Sequence, residues 1–396
     1  MQTMGKKIVY YSLFISILGI LPFCKKPVDK IKIQKQSHKD KNHLSAVVVF
    51  STGDAKISHA DLTEERAKIG AYFQSGDTIA TESNSKVDIQ IGGESVVRIA
   101  PNSHLSFTTL RKTKTSATAI ITLDSGKIYA NIDKLRTNDN YTFLTPFSFA
   151  KIKGTSFIIE SKDTKSTIKV VEGEVTFSPY LPKRIIDSGN PYITKIQEKL
   201  LATQTLIPKG KQASLQPNDD IFLQEAGKTQ EVQNAALLKK LKQFSQIQVM
   251  LKPLDIIKKE EQELSTIIKI EPTKSYQIID LNEKLSSGII DESQAEKYEK
   301  ERKQIETEIS KMQEVKKSKF NDTIVANPKS LKSKQEIIKY YERMEKIILK
   351  SGRIEIGAII DQLGTSKIVV HTENGIKRIP MEFVKEIIYD FKASSR

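Results

Sequence analysis

Lys86-Val87-Asp88-Ile89-Gln90-Ile91-Gly92-Gly93-Glu94-Ser95-Val96-Val97-Arg98-Ile99-Ala100-Pro101-Asn102 is the stretch on which the fold turns. Val87, Ile89 and Ile91 alternate with Lys86, Asp88 and Gln90, the period of a β-strand with one face toward a core. Gly92-Gly93 stops the run, Ser95 to Ile99 resumes it, and Pro101-Asn102 opens the next turn. Alternation predicts that each strand buries one face only.

The same texture extends outward from Leu44 to about Pro217. Further strands are predicted at Ala46–Phe50, Ala119–Leu123, Lys127–Ile132, Tyr141–Leu144, Ser156–Glu160, Thr167–Val171 and Glu174–Phe177. Asp124-Ser125-Gly126 reads as the turn between the second and third of these. Short strands cut by turn signals every eight to twelve residues or so predict an all-β unit over 44–218, a roll, sandwich or solenoid-like fold.

Within it stand Gly70, Gly76-Asp77-Thr78-Ile79-x-Thr81, Arg98-Ile99-x-Pro101-Asn102-Ser103-x-Leu105, Leu123-x-x-Gly126 and Thr145-Pro146. Gly154-Thr155-x-Phe157, Val170-x-Glu172-Gly173-x-Val175 and Ile207-x-x-Gly210-x-x-Ala213 follow. This ordered set resembles the FecR domain, with an insertion at about 180–205. The residues that carry it are Gly76, Asp77, Thr81, Pro101, Ser103, Gly126, Gly154, Thr155, Glu172 and Gly173. Their chemistry is that of turns and close backbone approach, so they read as fold markers rather than a catalytic set. The resemblance also implies a link to sigma-factor control, because such proteins in iron-uptake systems act through a cytoplasmic N-terminal region. Only Met1 to Lys7 precede the apolar run here, which argues against a cytoplasmic readout in the same chain.

That run, Ile8 to Phe23, is uncharged, follows Lys6 and Lys7, and ends at Cys24, the single cysteine of the chain. Its length is short for a bilayer span of roughly 20 residues and suits an export signal. Leu21-Pro22-Phe23-Cys24 resembles a bacterial lipobox, departing from the common pattern at Phe23 and Pro22, in the looser manner of spirochaetal lipoproteins. The expectation is a signal peptide over 1–23 and a lipid on Cys24; an uncleaved anchor is the alternative. Residues 24–43 form a lysine-rich tether. Lys25 and Lys26, without an aspartate, favour the outer membrane over the inner.

The net charge is +15, and removing Lys6 and Lys7 with the signal leaves +13. Such a chain is drawn to anionic head groups or acidic envelope polymers. Its lysines and arginines are spread among acids along helices, and export argues against nucleic acid as a partner.

From Gln224 to Lys350 apolar residues recur at helical spacing: Leu237, Leu241, Phe244, Leu251; Ile278, Leu281, Leu285; Ala295, Tyr298, Ile305, Ile309, Met312; and Ile337, Tyr341, Met344, Ile348. Gly288 marks a turn, and Ser333-Lys334-Gln335-Glu336 predicts a capped helix start. Helical hairpins over 224–350 are expected, with a homodimer through them as the alternative. Strands return at Arg353–Ile360, turning at Gly364, then at Lys367–Thr372 and Ile376–Ile379 around Glu373-Asn374-Gly375. Phe383, Val384, Ile387 and Ile388 predict a last helix. Residues 351–392 thus read as a small hairpin or barrel-like β module with a terminal helix, and the whole chain as multidomain α+β.

No Gly-x-Ser-x-Gly elbow, phosphate loop or dinucleotide fingerprint occurs. His38 and His43 lack the ligands that would complete a metal site, and His59, His104 and His371 are scattered. Asp77 with Glu94 or Glu172 is the one carboxylate pairing to consider. The expectation is a non-catalytic protein without cofactor or metal, anchored by its lipid and binding an envelope protein or a cell-wall polymer. The alternatives are an extracytoplasmic regulator related to sigma-factor regulators but without a cytoplasmic domain and, ranked below it, a cell-wall glycan enzyme.

Overall fold

The computed structural model describes residues 42–389 apart from 94, 134, 182–185, 188–190, 217–248, 287–289 and 364–365. The signal, Cys24, His38, Glu94, Gly288, Gly364 and the seam of Leu237, Leu241 and Phe244 lie outside them. Alternating sequence produces the strands β1 (Ala46–Thr52), β2 (Ala55–Ser58), β3 (Glu64–Arg66), β4 (Thr78–Thr81), β5 (Lys86–Ile91), β6 (Ser95–Ile99), β7 (Ser103–Lys112) and β8 (Ala117–Asn131). After them come β9 (Asn140–Leu144), β10 (Ser148–Ile152), β11 (Ser156–Lys162), β12 (Lys165–Glu172), β13 (Glu174–Pro179), β14 (Thr205–Pro208), β15 (Lys211–Leu215) and β16 (Leu251–Pro253).

They form a two-layer sandwich joined through one strand. One layer runs β3-β2-β4-β7-β8-β9-β10-β13-β14, the other β1-β5-β6-β8-β11-β12-β15-β16. The first half of β8 pairs with β7 and, in parallel, with β9; its second half pairs with β6 and β11. The expected turn at Asp124-Ser125-Gly126 is therefore corrected. A bulge opposite His104/Leu105 and a positive φ at Gly126 redirect the strand into the other layer without reversing it. Between the layers Phe143 meets Phe157 edge-on at 5.2 Å, within a core that also holds Ile79, Phe107, Ile89 and Val97.

The expectation that each strand buries one face only fails at β5 and β6, where Asp88, Gln90 and Arg98 are buried along with their apolar neighbours. The cover comes from later sequence: α2 (Lys258–Ser265), α3 (Pro272–Ser286), α4 (Glu292–Ala326) and α5 (Lys334–Tyr341), while α1 (Pro191–Ala202) fills the insertion before β14. Ile268, Ile270, Ile278 and Ile279, with Ile305 and Ile309 of α4, pack on Val47, Val49 and Phe50 of β1. Leu264 and Ile267 pack on Val96, Tyr129 and Ile158. Further along α4, Phe320 and Ile324 join Ile337, Tyr340, Tyr341 and Met344.

Three helical expectations change. Leu251 lies in β16, paired with β15. Ser333 caps α5 as its spacing predicts, accepting from Glu336 N, but the helix ends at Glu342 (φ +56°), so Met344 and Ile348 leave it. Ile348 belongs to β17 (Glu345–Leu349), which with β18 (Ile354–Leu363), β19 (Lys367–Thr372), β20 (Gly375–Pro380) and β21 (Val384–Ile388) makes a five-stranded sheet ordered β20-β19-β18-β17-β21. Thirdly, the predicted terminal helix is a single 3₁₀ turn, Met381–Phe383, followed by β21. A bulge in β21 lets Val384 and Ile387 face the same side, against Leu349 and Ile347, and so produces a three-residue apolar spacing that imitates a helix. Among the described residues no helix is long and apolar enough to cross a membrane.

Candidate functional site

The most elaborate polar arrangement sits where the helical segment crosses β5 and β6. Their antiparallel register places Asp88 directly opposite Arg98. The guanidinium forks onto the carboxylate, Nε to Oδ1 at 2.6 Å and Nη2 to Oδ2 at 2.7 Å. Its remaining donors reach forward in sequence. Nη1 donates to the Glu263 carbonyl at 2.8 Å, to Glu263 Oε2 at 3.0 Å and to Thr266 Oγ1 at 2.7 Å, and Nη2 donates to the Thr266 carbonyl at 2.8 Å. Burial works against the Arg98 charge, but Asp88 and Glu263 outweigh it and raise its pKa.

Asp88 and Gln90 then read the backbone of the crossing segment. Ile268 N donates to Asp88 Oδ2 at 2.8 Å. The Gln90 amide accepts from Ile270 N and donates to the Ile270 carbonyl, both at 3.0 Å. One turn upstream, buried Glu260 receives Lys169 at 2.8 Å and Lys127 at 3.1 Å. Burial pushes its carboxyl up, and the two ammonium groups more than offset this, holding it below the ordinary carboxylate value. Lys86 completes the set at 2.7 Å from Glu263.

The other side of α2 faces the C-terminal module. Lys258 Nζ donates to the Ile360 carbonyl at 3.1 Å, Glu261 accepts from the Tyr340 hydroxyl, and Lys329 pairs with Glu261 at 2.6 Å. Behind Tyr340, the Tyr341 hydroxyl meets His371 Nδ1 at 2.6 Å in the interior. Eight residues thus hold the sandwich on one flank and the small sheet on the other.

The fold-marker residues gather in three places. Asp77, after Gly76, accepts from Gln74 N at 2.8 Å, Ala60 N at 3.0 Å and His59 Nδ1 at 3.0 Å. Thr81 donates to the Ala100 carbonyl at 2.7 Å beside Pro101 and accepts from Ser103 N at 3.0 Å. Ser103 Oγ in turn accepts from Lys127 N at 3.0 Å, and a Cβ on Gly126 would lie 2.5 Å from Ser103 Cα. Thr155 donates to the Glu174 carbonyl at 2.8 Å, and a Cβ on Gly173 would sit 2.5 Å from the Gly154 carbonyl oxygen. Glu172 is exposed and pairs with Lys209 at 2.6 Å. Each polar marker is committed to the backbone or to a surface ion pair, and Asp77 and Glu172 have separate partner sets.

All of these markers except Gly76 fall in a stretch, 77–176, that matches the family described as FecR protein. Residues 77–176 form a FecR domain. Two crystal structures of a candidate anti-sigma factor from Parabacteroides distasonis ATCC 8503 also resemble the chain at 12% identity. One, at 2.50 Å resolution, has a TM-score of 0.29 over 45% of this chain and 60% of that one. The other, at 1.65 Å, has a TM-score of 0.30 over 48% and 64%. This chain thus spans less than two thirds of the length of that protein. No curated protein matches.

In the FecR domain the residues that sequence reading missed are Asp88, Gln90 and Arg98, together with Glu260 and Glu263 outside it. The signal for Asp88 and Arg98 was present: each stands five residues from Gly93, so opposite charges face each other in the hairpin. Nothing in the spacing announces that sequence from 263 to 270 covers them. His43 Nε2 lies 2.9 Å from the Phe73 carbonyl, and His104 Nδ1 lies 2.8 Å from Asp124. Among the described residues no group of three or more His, Cys, Asp or Glu side chains is placed to hold a metal ion.

Proposed function

We propose that this is a non-catalytic regulatory and binding protein of the bacterial cell envelope. In this reading it is held at a membrane by a lipid on Cys24, and its FecR domain engages an envelope protein or a cell-wall polymer. The observation that carries the reading is the FecR match over 77–176 on a sandwich whose marker residues are spent on its own backbone. The long helices and the small sheet are bound to that domain through α2, which supports a preassembled scaffold rather than a mobile tail. The strongly basic chain suits an anionic envelope surface.

The test is intact mass after membrane extraction, compared with Cys24→Ala. A wild-type mass that begins at Cys24 and carries a diacylglyceryl group, absent from the variant, supports the anchor. An uncleaved, unmodified wild-type chain overturns it.

The FecR match equally supports extracytoplasmic signalling akin to that of sigma-factor regulators. Deleting the protein would then change a defined set of transcripts, and a chain carrying Arg98→Ala, which loosens the domain from its helices, would fail to restore them. An unchanged transcript profile in the deletion strain would sink this second reading.

A further inference from the structure

Beside the Pro101-Asn102 turn and the Gly126 bend runs a groove of about 800 Å³, walled by the β11–β12 hairpin on one side and α2 on the other. That volume lies at the upper end of the range for small-molecule sites and far above what a single inorganic ion fills. Tyr129 lines it; the residue is only 5% exposed, but its hydroxyl opens to the groove and bonds no protein group among the described residues. That hydroxyl is therefore free to bond a group that enters the groove. Burial and the nearby Glu263 raise its pKa, so at neutral pH it is a hydrogen-bond donor.

The rims carry complementary chemistry. Lys162 on the hairpin and Lys259 on α2 are exposed, line the groove, and make no ion pair among the described residues. Glu160 and Asp163 supply acceptors, Asn84 and Asn102 supply amides, and Ala100, Pro101 and Tyr129 supply apolar surface. An anionic group would take the ammonium and phenol donors, whereas hydroxyl groups would take the carboxylates and amides. A peptide rich in carboxylates meets Glu160 and Asp163 as like charges. We infer that this groove binds a carboxylated glycan segment, a saccharide chain bearing both hydroxyl and carboxylate groups. The inference rests on the cell-wall-polymer form of the function proposed above and gives that polymer a site.

The experiment is titration calorimetry on the full chain purified from membranes. Three probes are compared: a disaccharide of N-acetylglucosamine and N-acetylmuramic acid, neutral chitobiose, and hexaglutamate. The carboxylated disaccharide is expected to bind and the other two to bind at least tenfold more weakly. Tyr129→Phe, which keeps the packed ring, should weaken binding about tenfold with an unchanged melting temperature. Lys162→Ala with Lys259→Ala should weaken it further and flatten its dependence on salt. Equal binding of chitobiose, stronger binding of hexaglutamate, no binding of the carboxylated disaccharide, or affinity indifferent to Tyr129→Phe would each overturn the inference. Because lipidation is read by mass, a chain correctly anchored at Cys24 that binds no carboxylated glycan removes this site while leaving the envelope reading intact.

Discussion

Arg98 faces Asp88 across the β5–β6 hairpin, and neither side chain is exposed to water. The pair would be a poor source of stability alone, since two desolvated charges recover little more than they lose. Its geometry makes sense through what else Arg98 touches. Four of its hydrogen bonds end on Glu263 and Thr266, so the ion pair orients the donors that fix α2 in place.

Truncating Arg98 to Ala should therefore cost about 3–5 kcal/mol, because Asp88 is left charged and unpaired in the interior. Asp88→Ala should cost a similar amount, and the double variant clearly less than the sum of the two. Urea denaturation of the four chains measures the coupling. Additive losses would show that the two side chains act independently.

Gly126→Ala should destabilise the protein by about 2–3 kcal/mol. The added methyl collides with Ser103 Cα, and the positive φ disfavours any side chain. A thermal melt of the variant within a degree of wild type would contradict the account of β8 as a strand that must bend there to serve both layers.

Glu342→Gly should act in the opposite direction. Glu342 ends α5 in the left-handed region and is exposed, so glycine relieves backbone strain at no packing cost. A gain of about 0.5–1 kcal/mol in chemical denaturation is expected. A loss would mean that the carboxylate makes a contribution that its exposure does not indicate.

Acid should loosen the joint between α5 and the small sheet. Burial lowers the pKa of His371 from its ordinary 6.5, so the folded chain holds the neutral ring to which Tyr341 donates. The unfolded chain binds the proton first as pH falls. This contribution is therefore complete above about pH 6.5 and declines below it, until the folded ring is itself protonated. His371→Gln should remove that part of the slope when stability is followed between pH 7.5 and 5. An unchanged slope would rule out His371 as its source.

Most of the sandwich was legible because strands with a shared core advertise a period of two. What escaped was where that period conceals a second covering. Asp88 and Gln90 alternate as solvent-facing residues do, yet they sit under Ile268 and Ile270, contributed by sequence 180 positions away. Their polarity serves the backbone of that segment rather than water. β21 escaped for the converse reason, since its bulge sets Val384 and Ile387 three apart and imitates a helix turn. Asp77, Thr81, Ser103 and Thr155 were legible as turn and close-approach residues, and each does bond the backbone of its own neighbourhood. Tyr129 gave no signal, because an aromatic residue in an alternating strand reads as core until its hydroxyl is found without a partner.

Arg98 and Glu263 are separated by 165 positions, which gives the order of synthesis a cost. At about 5–20 residues per second, the hairpin bearing Arg98 and Asp88 leaves the ribosome roughly 10–30 s before the segment that seals it. For that interval Val47, Val49, Phe50 and Val96 also lack their helical cover. A nascent chain must spend this time with that flank open or escorted, and its last-made third decides when its first-made third stops being sticky. Premature termination anywhere before Glu263 would yield a sandwich with an open, charged and oily flank, the kind of species that quality-control proteases recognise.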